Sequence, residues 1–158
     1  IRKKTAKLIE TACVIGAMLG GGTGEEIEAL KIFAGSVGEA FQIQDDLLDL
    51  VSSGRVSGKP QASDIAARKK TFLTIHFDEH SSSEQEKEFK TYWGRSDLNR
   101  TDIAGITALF RKTGTLEAAE KRADDLISRA LTSAGKLDES DARKLLENVT
   151  AGLRKRIT

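Results

Sequence analysis

Asp45, Asp46 and Asp49, with Gln42 before them, are the residues whose type and spacing best suit chemistry. Counted from Gln42 they fall at i, i+3, i+4 and i+7, so on a helix they share one stripe. Their neighbours Phe41, Ile43, Leu47, Leu48 and Leu50 are apolar, and no Lys or Arg lies within a turn. The acids are therefore expected to face inward or into a cleft. Like charges three and four residues apart destabilise a helix by roughly 0.2–0.5 kcal/mol per pair, and apolar surroundings raise carboxylate pKa values further. A divalent cation removes that conflict. Magnesium (Mg2+) suits best, because it takes oxygen ligands, keeps several waters, and is typically held by one or two carboxylates plus substrate phosphates. Asp124 and Asp125 form a second acidic pair that serves as a control. Lys121, Arg122 and Arg129 surround it, which is the pattern of an exposed helix face.

Cationic residues follow the cluster: Gly58-Lys59-Pro60, then Ser63-Asp64, then Lys69-Lys70-Thr71. Loop glycines let a backbone approach a ligand, and ammonium groups beside a carboxylate-bound metal are what a polyanion such as a diphosphate requires. Taken alone, Arg68, Lys69 and Lys70 read equally well as a solvated basic turn, and Lys3, Lys4 and Thr5 carry the same ambiguity.

The elements that must position these residues are helical. One proline occurs in 158 residues, and apolar positions recur at three and four rather than at two. A first helix is expected from Arg2 to Leu19 with Leu8, Ala12, Ile15 and Leu19 on one face; the apolar run from Ala12 to Gly22 reads as a buried segment ended by Gly20, Gly21, Gly22 and Gly24. A second begins near Glu25 and runs to Val51, with a buried stripe through Ile27, Leu30, Ala34, Val37 and Phe41. A loop covers residues 52–63, after which Ile65, Phe72, Ile75 and His76 resume a helical pattern. Ser83 with Glu86 has capping-box spacing, Thr101 or Asp102 caps a helix to Lys112, Gly114 punctuates, Thr115 opens a helix to about Ala134, and Asp138 or Ser140 opens the last.

Composition narrows the functions available. With 39% hydrophobic and 31% charged residues, the chain reads as one soluble globular domain. Its net charge of +1 gives no overall field toward nucleic acid or anionic lipid, so any electrostatic function is local. A single Cys13 excludes an internal disulfide, and His76 and His80, though i and i+4, have Phe77 where a zinc-protease motif needs Glu. The longest apolar run is about half the roughly 20 residues that cross a bilayer, and no signal-peptide pattern stands out. A cytoplasmic location is expected.

The residues quoted resemble those of the trans-prenyl diphosphate synthases (polyprenyl synthetases), in particular the geranylgeranyl type. Lys4-Thr5 is similar to the family's Lys-Thr pair, and residues 41–49 (FQIQDDLLD) to its second aspartate-rich motif. Gly58-Lys59-Pro60 with Ser63-Asp64-Ile65 resembles the loop that follows, and Lys69 and Thr71 match further positions. The resemblance implies an all-α helical bundle of the isoprenoid synthase type, here its C-terminal part, and an enzyme that joins an allylic diphosphate to isopentenyl diphosphate with magnesium. It implies that Asp45, Asp46 and Asp49 hold the metal, that Lys4, Lys59 and Lys69 neutralise diphosphate, that Thr5 and Gln42 present oxygens to the developing cation, and that the protein is a homodimer. Where the family has Gly, Gly and Pro, this chain has Ala62, Arg68 and Leu73. The family's first aspartate-rich motif has no counterpart here. The 158 residues alone are thus not expected to be a competent synthase, and Ile1 reads as a cut through a larger bundle. Two competing readings remain at this point, a non-catalytic helical subunit that modulates a synthase and a terpene cyclase of similar fold.

Overall fold

The computed structural model describes residues 5–51 and 60–154. Lys4 and Lys59 lie outside the described residues, as do most of the expected loop and the basic end beyond Arg154. Among the described residues there are eight helices and no strand: α1 (Lys7–Leu19), α2 (Gly24–Val51), α3 (Ser63–Ala66), α4 (Phe72–His80), α5 (Ser83–Lys90), α6 (Arg100–Lys112), α7 (Thr115–Ala134) and α8 (Asp141–Arg154). The all-α expectation holds. Residues 1–44 with 121–158 form one compact unit and residues 45–120 another, so α2 and α7 contribute to both.

In the first unit, α1 ends where the glycines begin. The Gly20 and Gly22 amides donate back to Gly16 and Ala17 carbonyls, and Gly21 takes φ 75°, which glycine adopts without a Cβ penalty. Thr23 and Glu26 form the reciprocal cap that opens α2. One buried stripe of α2 runs through Ala29, Phe33, Ser36, Ala40, Ile43, Leu47 and Leu50, spaced alternately by four and three residues. Ala34 is also buried, Ile27, Leu30 and Val37 are half-buried, and Phe41 is exposed, contrary to expectation. Close approach explains the difference: a Cβ at Gly38 would stand 2.5 Å from Ala6 Cα, so small side chains rather than large ones mark the contact. Phe33, Ala34, Ala130 and Ala134 form a core cluster with Ile9, Cys13, Val37 and Leu146 packed against it. The face of α1 that carries Leu8, Ala12, Ile15 and Leu19 is exposed rather than buried. Its other side, through Ala6, Ile9, Glu10 and Cys13, is the one turned inward.

In the second unit, Phe77, Phe89 and Phe110 meet with ring centroids 4.8–5.5 Å apart, the offset geometry aromatic pairs favour. Ile106 and Leu109 are buried beside them in the sequence of α6. Each cap falls earlier than its sequence reading. Ser82 with Gln85 caps α5, and Asn99 with Asp102 caps α6, because runs of Ser, Asn, Thr and Asp offer several acceptors in succession. Gly114 takes φ 67° before α7, as the punctuation predicts. In the first unit, Ser140 rather than Asp138 receives the Arg143 amide before α8.

Candidate functional site

The aspartates of α2 differ in surroundings. Asp46 is 4% exposed, Asp49 is half-buried, and Asp45 faces solvent, which corrects the inward placement expected of all three. Adjacent residues on a helix point about 100° apart, so one stripe cannot hold both Asp45 and Asp46 at equal depth.

Asp49 anchors residues 62–64. Its Oδ1 accepts the Ser63 hydroxyl at 2.6 Å and its Oδ2 accepts the Asp64 amide at 2.9 Å, while its own carbonyl accepts the Ala62 amide at 2.7 Å. Asp64 in turn accepts the Lys69 ammonium. That hydrogen bond holds the Lys69 pKa above its ordinary value; partial burial opposes the shift, and the charges of Asp64, Asp49 and Asp46 add to it. Lys69 is thus paired with Asp64, and the carboxylates of α2 add a weaker favourable field. Sequence reasoning placed Ser63 and Asp64 only as loop residues. The available signal was Ser-Asp just ahead of Ile65, a helix-capping pattern with no acceptor identified for it.

The three cations of residues 68–70 are all exposed, as a solvated basic turn would be, but their contacts diverge. Lys69 turns to Asp64, Lys70 lines a cleft of about 210 Å3 with Thr74, Phe89 and Trp93, and Arg68 lays its guanidinium over Gly94. A Cβ at Gly94 would stand 2.0 Å from Arg68 Nε, and Gly94 itself takes φ 84°. Ala62 at φ 58° and Arg68 at φ 53° bracket α3 in the left-handed region, where non-glycine residues are strained. These are the two positions at which the family resemblance led one to expect glycine.

In the first unit, Thr5 Oγ1 donates to Gln42 Oε1 at 2.8 Å, which brings together the two residues expected to present oxygens. Gln42 lies one helical turn before Asp45 and Asp46 along α2. Between them, Gln44 is fully buried and its Nε2 donates to the Leu153 carbonyl at 2.9 Å, while its Oε1 receives no hydrogen bond.

Among the described residues, no three His, Cys, Asp or Glu side chains gather into a ready-made metal cage. The donor chemistry still suits a hard cation. Each ionised carboxylate oxygen accepts more than one bond, so Asp49 keeps capacity beyond Ser63 and Asp64, and solvent-facing Asp45 is open. The set fits magnesium held by one or two carboxylates together with substrate phosphates. His76 bonds Thr115 at 3.0 Å and stacks on His80, Cys13 is half-buried with its thiol pKa raised by burial, and Asp124 pairs on the surface with Arg154. No helix among the described residues is long and apolar enough to cross a membrane.

Comparison with known proteins agrees with this arrangement. The model of the polyprenyl synthetase family matches residues 1–110. A short chain isoprenyl diphosphate synthase of Methanothermobacter thermautotrophicus is 38% identical over 146 residues, 92% of this chain and 44% of that protein. The crystal structure of geranylgeranyl pyrophosphate synthetase from Pyrococcus horikoshii superposes with a TM-score of 0.88 at 33% identity, covering 98% of this chain and 47% of that one. That of a Corynebacterium glutamicum geranylgeranyl pyrophosphate synthase, complexed with isoprenyl diphosphate and magnesium, gives 0.85 at 31% identity, covering 98% and 44%. The chain thus spans less than half the length of these proteins while matching them over nearly all of its own. With the family model matching residues 1–110 and the helical architecture shared with these enzymes, the chain belongs to the polyprenyl synthetase family.

Proposed function

We propose that the intact protein is a trans-prenyltransferase, of which these 158 residues are the C-terminal part, and that it condenses an allylic diphosphate with isopentenyl diphosphate. The observation that carries the reading is the Asp49–Ser63/Asp64–Lys69 network. It ties the segment that carries the Asp64–Lys69 ion pair to Asp49 of α2, placing a cation near a carboxylate-rich helix, the combination that recognises a metal-bound diphosphate.

Asp45, Asp46 and Asp49 would hold magnesium, which when bound neutralises the diphosphate oxygens. Lys69, with Lys4 and Lys59, stabilises the charge that collects on the diphosphate as the allylic C–O bond breaks. Thr5 and Gln42, already hydrogen-bonded to each other, direct oxygen atoms at the allylic cation. The double bond of isopentenyl diphosphate then forms the new C–C bond, a proton is lost, and inorganic diphosphate departs. Apolar walls keep water from the cation. The same reading makes the protein a cytoplasmic homodimer.

The test incubates the intact protein with magnesium chloride, isopentenyl diphosphate and allylic diphosphates of increasing length, and weighs the products. Masses that rise by isoprene units support the proposal. Absence of elongation with every allylic substrate overturns it, and activity of a complex with an active synthase that is unchanged by Asp45→Ala with Asp46→Ala assigns the chain instead to a non-catalytic modulating subunit.

A further inference from the structure

Helix α4 carries two histidines that prenyl transfer leaves unused. His76 and His80, one turn apart, stack with ring centroids 3.9 Å apart and planes 6° from parallel. His76 is half-buried and stacks on Phe72 on its other side, while His80 is exposed.

The hydrogen bonds around the pair fix where each proton sits. The Thr113 hydroxyl gives its one proton to the carbonyls of Leu109 and Phe110, because a carbonyl only accepts. Its 2.9 Å bond with Thr115 is therefore made with the Thr115 proton. Thr115, fully buried, then has no proton left for His76, so the 3.0 Å bond between them is donated by Nδ1 of the ring. His80 Nδ1 meets the His76 carbonyl at 2.8 Å and must donate as well. Both neutral rings thus carry their proton on Nδ1 and present Nε2 as a bare lone pair, and neither Nε2 has a hydrogen-bond partner among the described residues.

Metal-binding histidines are prepared in this way, with one ring nitrogen anchored on an acceptor and the other free, and pairs of them recur four residues apart on a helix. A lone exposed histidine would simply be solvated; here two rings of the same tautomer are ordered side by side. Imidazole nitrogen favours zinc, nickel and copper, whereas magnesium takes oxygen. Phe77 stands where a hydrolytic zinc motif has Glu, so the pair suits binding rather than hydrolysis. Among the described residues no third metal-ligating side chain joins the two, so water completes the coordination. A metal–nitrogen bond is about 2.0–2.1 Å, and the exposed His80 ring has to turn on its own side-chain torsions to share an ion with His76.

We propose that His76 and His80, through Nε2 of each, form a binding site for a divalent transition-metal ion of the imidazole-preferring kind on α4. The inference does not depend on prenyl transfer, and its failure leaves the reading of the aspartates untouched.

The experiment follows carbethoxylation of the two imidazoles by diethyl pyrocarbonate in the intact protein, resolved peptide by peptide by mass spectrometry. Nickel chloride is titrated in under excess magnesium chloride, which occupies the carboxylates. Nickel is expected to slow modification of His76 and His80 together, at least ~10-fold at saturation, with manganese needing a higher concentration for the same protection. In His80→Ala, or His80→Gln should the first fold poorly, protection of His76 should take at least ~10-fold more nickel. Thr115→Val, which removes the acceptor from His76 Nδ1, should weaken protection, and Thr115→Ser should retain it. Absence of protection, protection of His76 that is unchanged without His80, or protection reversed by magnesium overturns the proposal.

Discussion

The chain carries two Asp-Asp pairs, and they behave as different chemical objects. Asp46 is buried on a helix stripe between Ile43, Leu47 and Leu50, and Lys69, whose pKa is raised chiefly by its hydrogen bond to Asp64, feels the charges of Asp49 and Asp46 as smaller contributions. Asp124 is 63% exposed and meets Arg154, itself half in solvent, at 3.3 Å. An exposed pair of that kind is worth at most a fraction of a kcal/mol and weakens with salt. The dipeptide is the same; what differs is whether apolar neighbours remove water and whether a second element brings a cation. A motif is thus a statement about what surrounds the acid.

The sharpest way to break that contrast is Asp46→Asn. In the intact protein it is expected to lower product formation about 10²–10³-fold, as loss of one preorganised charge at a reacting centre does, measured by incorporation of labelled isopentenyl diphosphate. Next is Asp49→Ala. It strips acceptors from Ser63 and the Asp64 amide and is expected to cost about 1.5–3 kcal/mol in urea unfolding, the range for hydrogen bonds to a charged group. If the fold tolerates it without loss, α3 is not anchored through that carboxylate.

A smaller effect of opposite sign is expected at Arg68. Arg68→Gly relieves the left-handed backbone and is expected to gain about 1 kcal/mol. Gly94→Ala should destabilise the wild type more than the Arg68→Gly variant, because the guanidinium it strikes is then gone. Equal penalties in both backgrounds would show that the backbone angle of Gly94 alone matters.

Lys69 gives a pH signature. Its folded pKa lies above the unfolded 10.5, so its contribution to stability is fully present below that pH and is lost as pH rises through the higher folded value. Lys69→Met should flatten the alkaline fall in stability above about pH 10. Smallest is Asp124→Ala, expected to leave activity and melting temperature unchanged; a clear loss of activity would erase the distinction between the pairs.

How much of this was legible in the sequence depends on what each signal measures. The span of α2 was readable to within a residue, since 28 residues without proline end in a polar, glycine-containing stretch. The exposed character of Asp124 and Asp125 was also readable from the cations around them. Phe41 and the outer face of α1 were not, because periodicity finds an apolar stripe without naming what covers it, and glycine and alanine at 38 and 6 leave little trace in a hydrophobic pattern. The caps at Ser82 and Asn99 were missed by one to three positions, each in a run of competent acceptors. The anchoring of Asp49 reaches a residue 14 positions away, beyond the reach of any local rule, and the left-handed Ala62 and Arg68 could be suspected only from where the family resemblance expects glycine.

The Gln44 amide, bonded to the Leu153 carbonyl across 109 residues, also bears on how the molecule assembles. A contact between such distant points pays its loop-closure entropy before it returns anything, so it forms after the local helices and their nearest pairings. The last turn of α8 is then the final piece to dock beside the residues that precede Asp45. Hydrogen exchange should find residues 150–154 opening more readily than the middle of α2, and a change near the C-terminus should be felt first as slower completion of folding.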